Sequence, residues 1–139
     1  MMEEQDTTDD SNGTESQRHY FIDLDWYRAK ERSFVTLAAT RMCASRHDKK
    51  ALKSEAAMLN ALKQCCSKQQ SFVAPGMPIQ ELIFRVFLAN GNQPQDLGQI
   101  EDTLRQWLAP TGTVRDVSAA KLERIIGGDT YYGLRPAPS

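Results

Sequence analysis

The chain has 139 residues, 40% of them hydrophobic and 25% charged, with 17 Lys and Arg against 18 Asp and Glu. That size fits one domain, or a small domain with a helical extension and a tail, and the composition is that of an ordinary globular protein. No apolar stretch approaches the ~20 residues that a membrane-spanning helix requires, and the acidic, polar start of the chain is the opposite of a secretory leader. Three cysteines, two of them adjacent, make no disulfide framework, so a reducing cytoplasm is the expected compartment.

The charge is uneven along the chain. Residues 1–17 carry six acids and no base, for a sum of −6; residues 18–70 sum to +6; residues 71–139 sum to −1. The first segment also lacks aromatic and branched aliphatic side chains, which predicts a disordered acidic tail. The chain therefore divides into an acidic tail (1–17), a basic helical segment (18–70) and a C-terminal unit (71–139).

Order is expected from about His19. Asp23 or Asp25 suits the N-cap of a short helix running through Tyr27 to Glu31, and Ser33 suits the cap of a second, with Phe34, Leu37, Ala38 and Met42 on one face. A longer helix is expected from about Asp48 to Ser67, with Leu52, Ala56, Leu59, Leu62 and Cys66 inward and Lys49, Lys50, Lys53 and Lys63 outward. The last two would form a hairpin around Arg46-His47.

Cys43, His47, Cys65 and Cys66 are weak candidates for metal ligands. A helix continuing through His47 would put it on one face with Cys43. Three features argue against a site. Antiparallel pairing sets Cys43 opposite the start of the next helix, adjacent thiols on a helix diverge by ~100°, and paired C-x2-4-C spacings are absent. Buried or inert thiols, with no metal and no cofactor, are the expectation.

After the break at Pro75-Gly76, Ile79, Leu82, Ile83, Val86 and Phe87 give the strongest helical periodicity in the chain, stopped by Asn90-Gly91. Asp96 with Gln99 forms a capping-box pattern that opens a helix burying Leu97, Ile100, Leu104, Trp107 and Leu108. Thr113-Val114 suits a short strand. Ser118 then caps a third helix, with Ala119, Leu122, Ile125 and Ile126 inward and Gly127-Gly128 at its end. Thr130 to Leu134 has strand character and is expected to pair near Val114.

The segments FRVFLANGNQPQDLGQIEDTLRQWL and SAAKLERIIGGDTYYGLR together resemble a winged helix-turn-helix, over the stretch from Met77 to Arg135. The WY…LANGNQP arrangement also resembles a family of small bacterial proteins, a likeness that carries no activity with it. The fold class expected is mostly α: an N-terminal helical hairpin packed on a three-helix winged-helix-like domain with a short β element. The resemblance implies a transcription-regulator-like protein that binds DNA, with the helix from Ser118 to Ile126 as reader.

Arg115, Lys121, Arg124 and Arg135 would then make groove and phosphate contacts, and Arg41, Arg46, Lys49, Lys50 and Lys53 would add sequence-independent attraction. The alternative is a protein-docking module on the same scaffold, with Trp26, Tyr27, Tyr131 or Tyr132 as anchors. No nucleophile elbow, P-loop, zincin or dinucleotide motif is present, so no catalytic activity is expected.

Overall fold

The computed structural model of the protein describes residues 18–43 and 52–138. The expected acidic tail, and the hairpin turn with Arg46, His47, Lys49 and Lys50, lie outside the described residues. Those residues form a mostly helical chain with one small antiparallel sheet. In order they are β1 (His19–Ile22), α1 (Leu24–Ala29), α2 (Phe34–Ala39), α3 (Glu55–Gln64), α4 (Ile79–Ala89), β2 (Gln95–Asp96), α5 (Leu97–Leu108), α6 (Ala119–Gly127) and β3 (Leu134–Pro136). No helix among them is long and apolar enough to cross a membrane.

Local capping sets most helix starts. Asp23 accepts from the backbone N–H groups of Asp25 and Trp26, Ser33 from that of Thr36, and Ser118 from that of Lys121. The capping box at α5 is reciprocal: Gln99 N donates to Asp96 Oδ1 at 2.8 Å, and Asp96 N donates to Gln99 Oε1 at 2.9 Å. At α3 the expectation is corrected. The described part of the chain turns helical at Glu55, because the Ser54 side chain accepts from Ala57 N and so stops the helix from running back toward Asp48. Leu52 falls outside the helix and is exposed. The C-terminal end is also shorter, passing at Cys66–Lys68 into a 3-10 turn.

The sheet differs most from expectation. Its order is β2-β1-β3, so the central strand comes from the N-terminal segment. Ile22 pairs with Leu134 and Tyr20 with Pro136 on one side, while Tyr20 pairs with Gln95 on the other. Thr113-Val114 forms no strand, and Val114 is 97% exposed. The physical reason lies in β1: Tyr20 and Ile22 face the core on alternate positions, a pattern that satisfies β3 with both hydrogen bonds and apolar cover. Asn92, at φ 62°, extends this edge with its side chain, accepting from Ile22 N at 2.8 Å and donating to Ile22 O at 2.9 Å.

The core crosses the sequence boundary at residue 70. Phe34, Ala38, Met58 and Leu62 from α2 and α3 belong to the same buried cluster as Leu82, Phe84 and Phe87 of α4, Ile100 and Leu104 of α5, and Leu122 and Ile126 of α6. Burying α4 on nearly every side explains its wide apolar arc.

Candidate nucleic-acid interface

Helix α6 offers one unpacked side. Leu122 and Ile126 are buried, whereas Ala120, Glu123, Arg124 and Gly127 are exposed. Its N-terminus is fixed by an Asx turn and a cap: Asp116 Oδ1 accepts from Ser118 N at 3.0 Å, and Ser118 Oγ accepts from Lys121 N at 3.4 Å. The hydrogen bonds from Ser118, with Lys121 and Arg124 nearby, hold the Asp116 carboxyl below the usual carboxylate range. Lys121 and Arg115 line a cleft of about 500 Å³ between this helix end and the start of α4, together with Gln80 and Ile125. Arg115 is also tied down, donating through Nη1 to the Met77 carbonyl.

Arg135 sits elsewhere. Its Nη1 donates to the carbonyls of Asp129 at 3.0 Å and Leu134 at 2.9 Å, and its guanidinium lies 5.5 Å from the Trp26 ring centre. It lines a second cleft, of about 630 Å³, with Arg18 and Glu123. The four C-terminal cations are thus not one constellation. Arg115 and Lys121 share a cleft, Arg124 stands one turn beyond Lys121, and Arg135 serves the fold.

Arg41 is also diverted. It donates to Glu81 through Nε at 2.9 Å and Nη2 at 2.6 Å, beneath a surface that leaves its side chain 13% exposed. That hydrogen bond raises its already high pKa, against the cost of burial. An arginine consumed in this way cannot add diffuse attraction for a polyanion. Lys53 is exposed; Arg46, Lys49 and Lys50 lie outside the described residues.

Glu81 organises the interior on this side. Arg85 Nε donates to it at 2.7 Å and the Tyr132 hydroxyl at 2.6 Å. Burial alone would raise its pKa, but the bonds from Arg41, Tyr132 and Arg85 outweigh that and hold it at about 2. The same site raises the Tyr132 phenol, first by burial and then by the bond to Glu81. Asp129, 2% exposed, accepts from the backbone N–H groups of Tyr131, Tyr132 and Leu134 and from Gln80 Nε2. These carboxylates are structural knots that carry YYGLR into β3.

Of the four expected aromatic anchors, Tyr27 is fully buried and its hydroxyl donates to Tyr132 O at 2.6 Å, while Tyr132 bonds Glu81. Both complete the core. Trp26 is half-buried and Tyr131 exposed, and the Arg32 guanidinium lies over both rings, 4.7 Å from that of Tyr131 and 5.4 Å from that of Trp26. Arg32 Nη1 also donates to Tyr131 O.

The cysteines give one further correction. Cys43 lies against the end of α3, not its start: its Sγ is 3.6 Å from Cys65 Sγ, and its N–H donates to Cys66 Sγ at 3.1 Å. The last turn of α2 tightens through successive bonds from Thr40 N to Leu37 O, Arg41 N to Ala38 O and Met42 N to Ala39 O, which carries the chain on to Cys43. Among the described residues no group of three His, Cys, Asp or Glu side chains is arranged to hold a metal ion. Comparison with protein families, with curated proteins and with solved structures gives no match for this chain.

Proposed function

We propose that the chain is a non-enzymatic nucleic-acid-binding protein of the winged-helix kind, in which α6 enters the major groove of a duplex. The observation that carries this reading is the outer side of α6: half-buried Lys121 stands in the first turn of a firmly capped helix, and exposed Arg124 follows three residues on, in its last turn. In helix-turn-helix proteins the second helix reads base edges with its N-terminal residues. The strand β2 directly before α5, and β3 after α6, fit the element order of that superfamily. Here β1 takes the place a wing hairpin would fill, so the reader helix acts without a long wing. Lys121 and Arg124 make the groove and phosphate contacts, Arg115 supports them at the cleft, and Lys53 belongs to the basic segment that supplies further phosphate attraction.

Fluorescence anisotropy with a labelled random duplex at two salt concentrations tests this. Non-specific binding with a Kd of roughly 10⁻⁴ to 10⁻⁶ M at moderate salt, weakening as salt rises, is the expected result. Lys121→Glu with Arg124→Glu should weaken binding by roughly tenfold or more and flatten the salt slope by about 2 in log–log terms. Arg135→Gln should leave binding unchanged. A second reading, a protein-docking module, draws on the Trp26–Arg32–Tyr131 stack, since Trp, Tyr and Arg dominate interface energetics. No duplex binding even at low salt would discard the first reading in favour of the second.

A further inference from the structure

We propose that Cys43 and Cys65 form a thiol–disulfide exchange site, which closes an intramolecular bond on meeting a low-molecular-weight disulfide of the glutathione type. The two sulfurs are 22 residues apart in sequence and 3.6 Å apart in space. A disulfide bond is ~2.05 Å long, so the pair needs to close by about 1.5 Å.

Two anchors hold Cys43 in place. Its own N–H donates to Cys66 Sγ, and Arg41, two residues before it, is clamped to Glu81 on α4. Cys43 and Cys65 are half-buried, whereas Cys66 is 1% exposed. Burial pushes the Cys66 thiol up to about 11, which keeps it protonated and out of exchange. Cys43 also lines a cleft of about 210 Å³ with Cys66, in which the guanidinium groups of Arg41 and Arg85 are already held by Glu81.

The chemistry balances as two displacements. Cys43 gives its proton to solvent and its thiolate attacks one sulfur of the small disulfide; a mixed disulfide forms and the first small thiolate leaves, taking up a proton. Cys65 then loses its proton and attacks the Cys43 sulfur, expelling the second small thiol. The protein loses two electrons and two protons, and the small disulfide is reduced to two thiols. The new bond would fix both ends of the segment that carries Arg46, Lys49, Lys50 and Lys53.

The test uses the full chain, reduced and then incubated with glutathione disulfide at several thiol-to-disulfide ratios. Remaining thiols are alkylated and the protein is digested and mapped by mass spectrometry. The expected product is a Cys43–Cys65 cross-linked peptide with Cys66 alkylated. Cys65→Ser should instead accumulate a stable glutathionyl adduct on Cys43. The wild-type map decides the matter even if that variant folds poorly. Adducts without a cross-link, a cross-link through Cys66, or three thiols that all remain open to alkylation would overturn the proposal.

Discussion

Replacing Glu81 by Ala should destabilise the protein by about 3–5 kcal/mol, measured as a shift in the urea unfolding midpoint at unchanged slope. The carboxylate accepts from three side chains at once, Arg41, Arg85 and Tyr132. Removing it leaves two guanidinium groups, 13% and 14% exposed, facing one another without their anion. Loss of one partner from a buried ion group costs more than the intact group contributes, because the remaining charges stay desolvated.

The same carboxylate gives the protein an acid dependence of known sign. Its folded pKa, about 2, lies below the value of 4.5 it takes in the unfolded chain. The stabilisation is therefore complete above about pH 4.5 and is lost as the pH falls toward 2, amounting to about 3 kcal/mol over that window. In Glu81→Ala this part of the acid slope should vanish. A variant that loses under about 1 kcal/mol, with the acid slope intact, would remove Glu81 from the centre of the fold.

Gly133→Ala should cost about 2–4 kcal/mol by the same assay, from two sources. Gly133 holds φ +74°, a left-handed conformation that a side chain disfavours. An added Cβ would also stand 2.7 Å from Tyr27 Cε1 and 2.9 Å from Trp26 Cε3. The Tyr27 ring cannot retreat easily, being fully buried and held by its hydroxyl bond to Tyr132 O, and the glycine itself is fixed because Asp23 N donates to Gly133 O at 2.8 Å. Gly127→Ala provides the contrast. It lies within α6 with nothing within 4 Å of its Cβ position, so alanine should be neutral or should stabilise by a few tenths of a kcal/mol. Equal effects at the two glycines would mean that YYGLR does not pack on α1 as described.

The sequence makes the helices legible because their signals are local. Asp96 with Gln99, Ser33 and Ser118 each announce a helix within four residues, and the structure places a cap at every one. Periodicity likewise identifies α4 from Ile79 to Phe87. What escapes is the long-range pairing. β1 is a four-residue strand whose partners lie beyond residue 90, and no turn links them to fix a register. Its only trace in the sequence is the apolar run Tyr20-Phe21-Ile22, which carries no period-2 alternation to mark a strand. Ser54 is a cap hidden inside a longer amphipathic run, where Leu52 and Ala56 suggest continuity.

The candidate interface divides in the same way. Charge spacing on α6 shows Lys121 and Arg124 on one helix, and the structure leaves Arg124 exposed. It does not show that Arg41 finds Glu81 forty residues away, or that Arg135 turns back onto the Asp129 carbonyl. A cation's availability depends on carboxylates and carbonyls that only the folded chain brings near. The cysteine pair is hidden for a related reason: a simple antiparallel hairpin sets Cys43 at the start of α3, whereas the folded chain brings the end of α2 against the end of α3.

The most direct measurement is an amide chemical-shift titration of the labelled full chain with a short duplex at low salt. Perturbations concentrated from Arg115 to Arg124, with those near Trp26, Arg32 and Tyr131 silent, are the predicted result. Shifts confined to the Trp26–Arg32–Tyr131 surface, or none at saturating duplex, would contradict α6 as the element that meets nucleic acid.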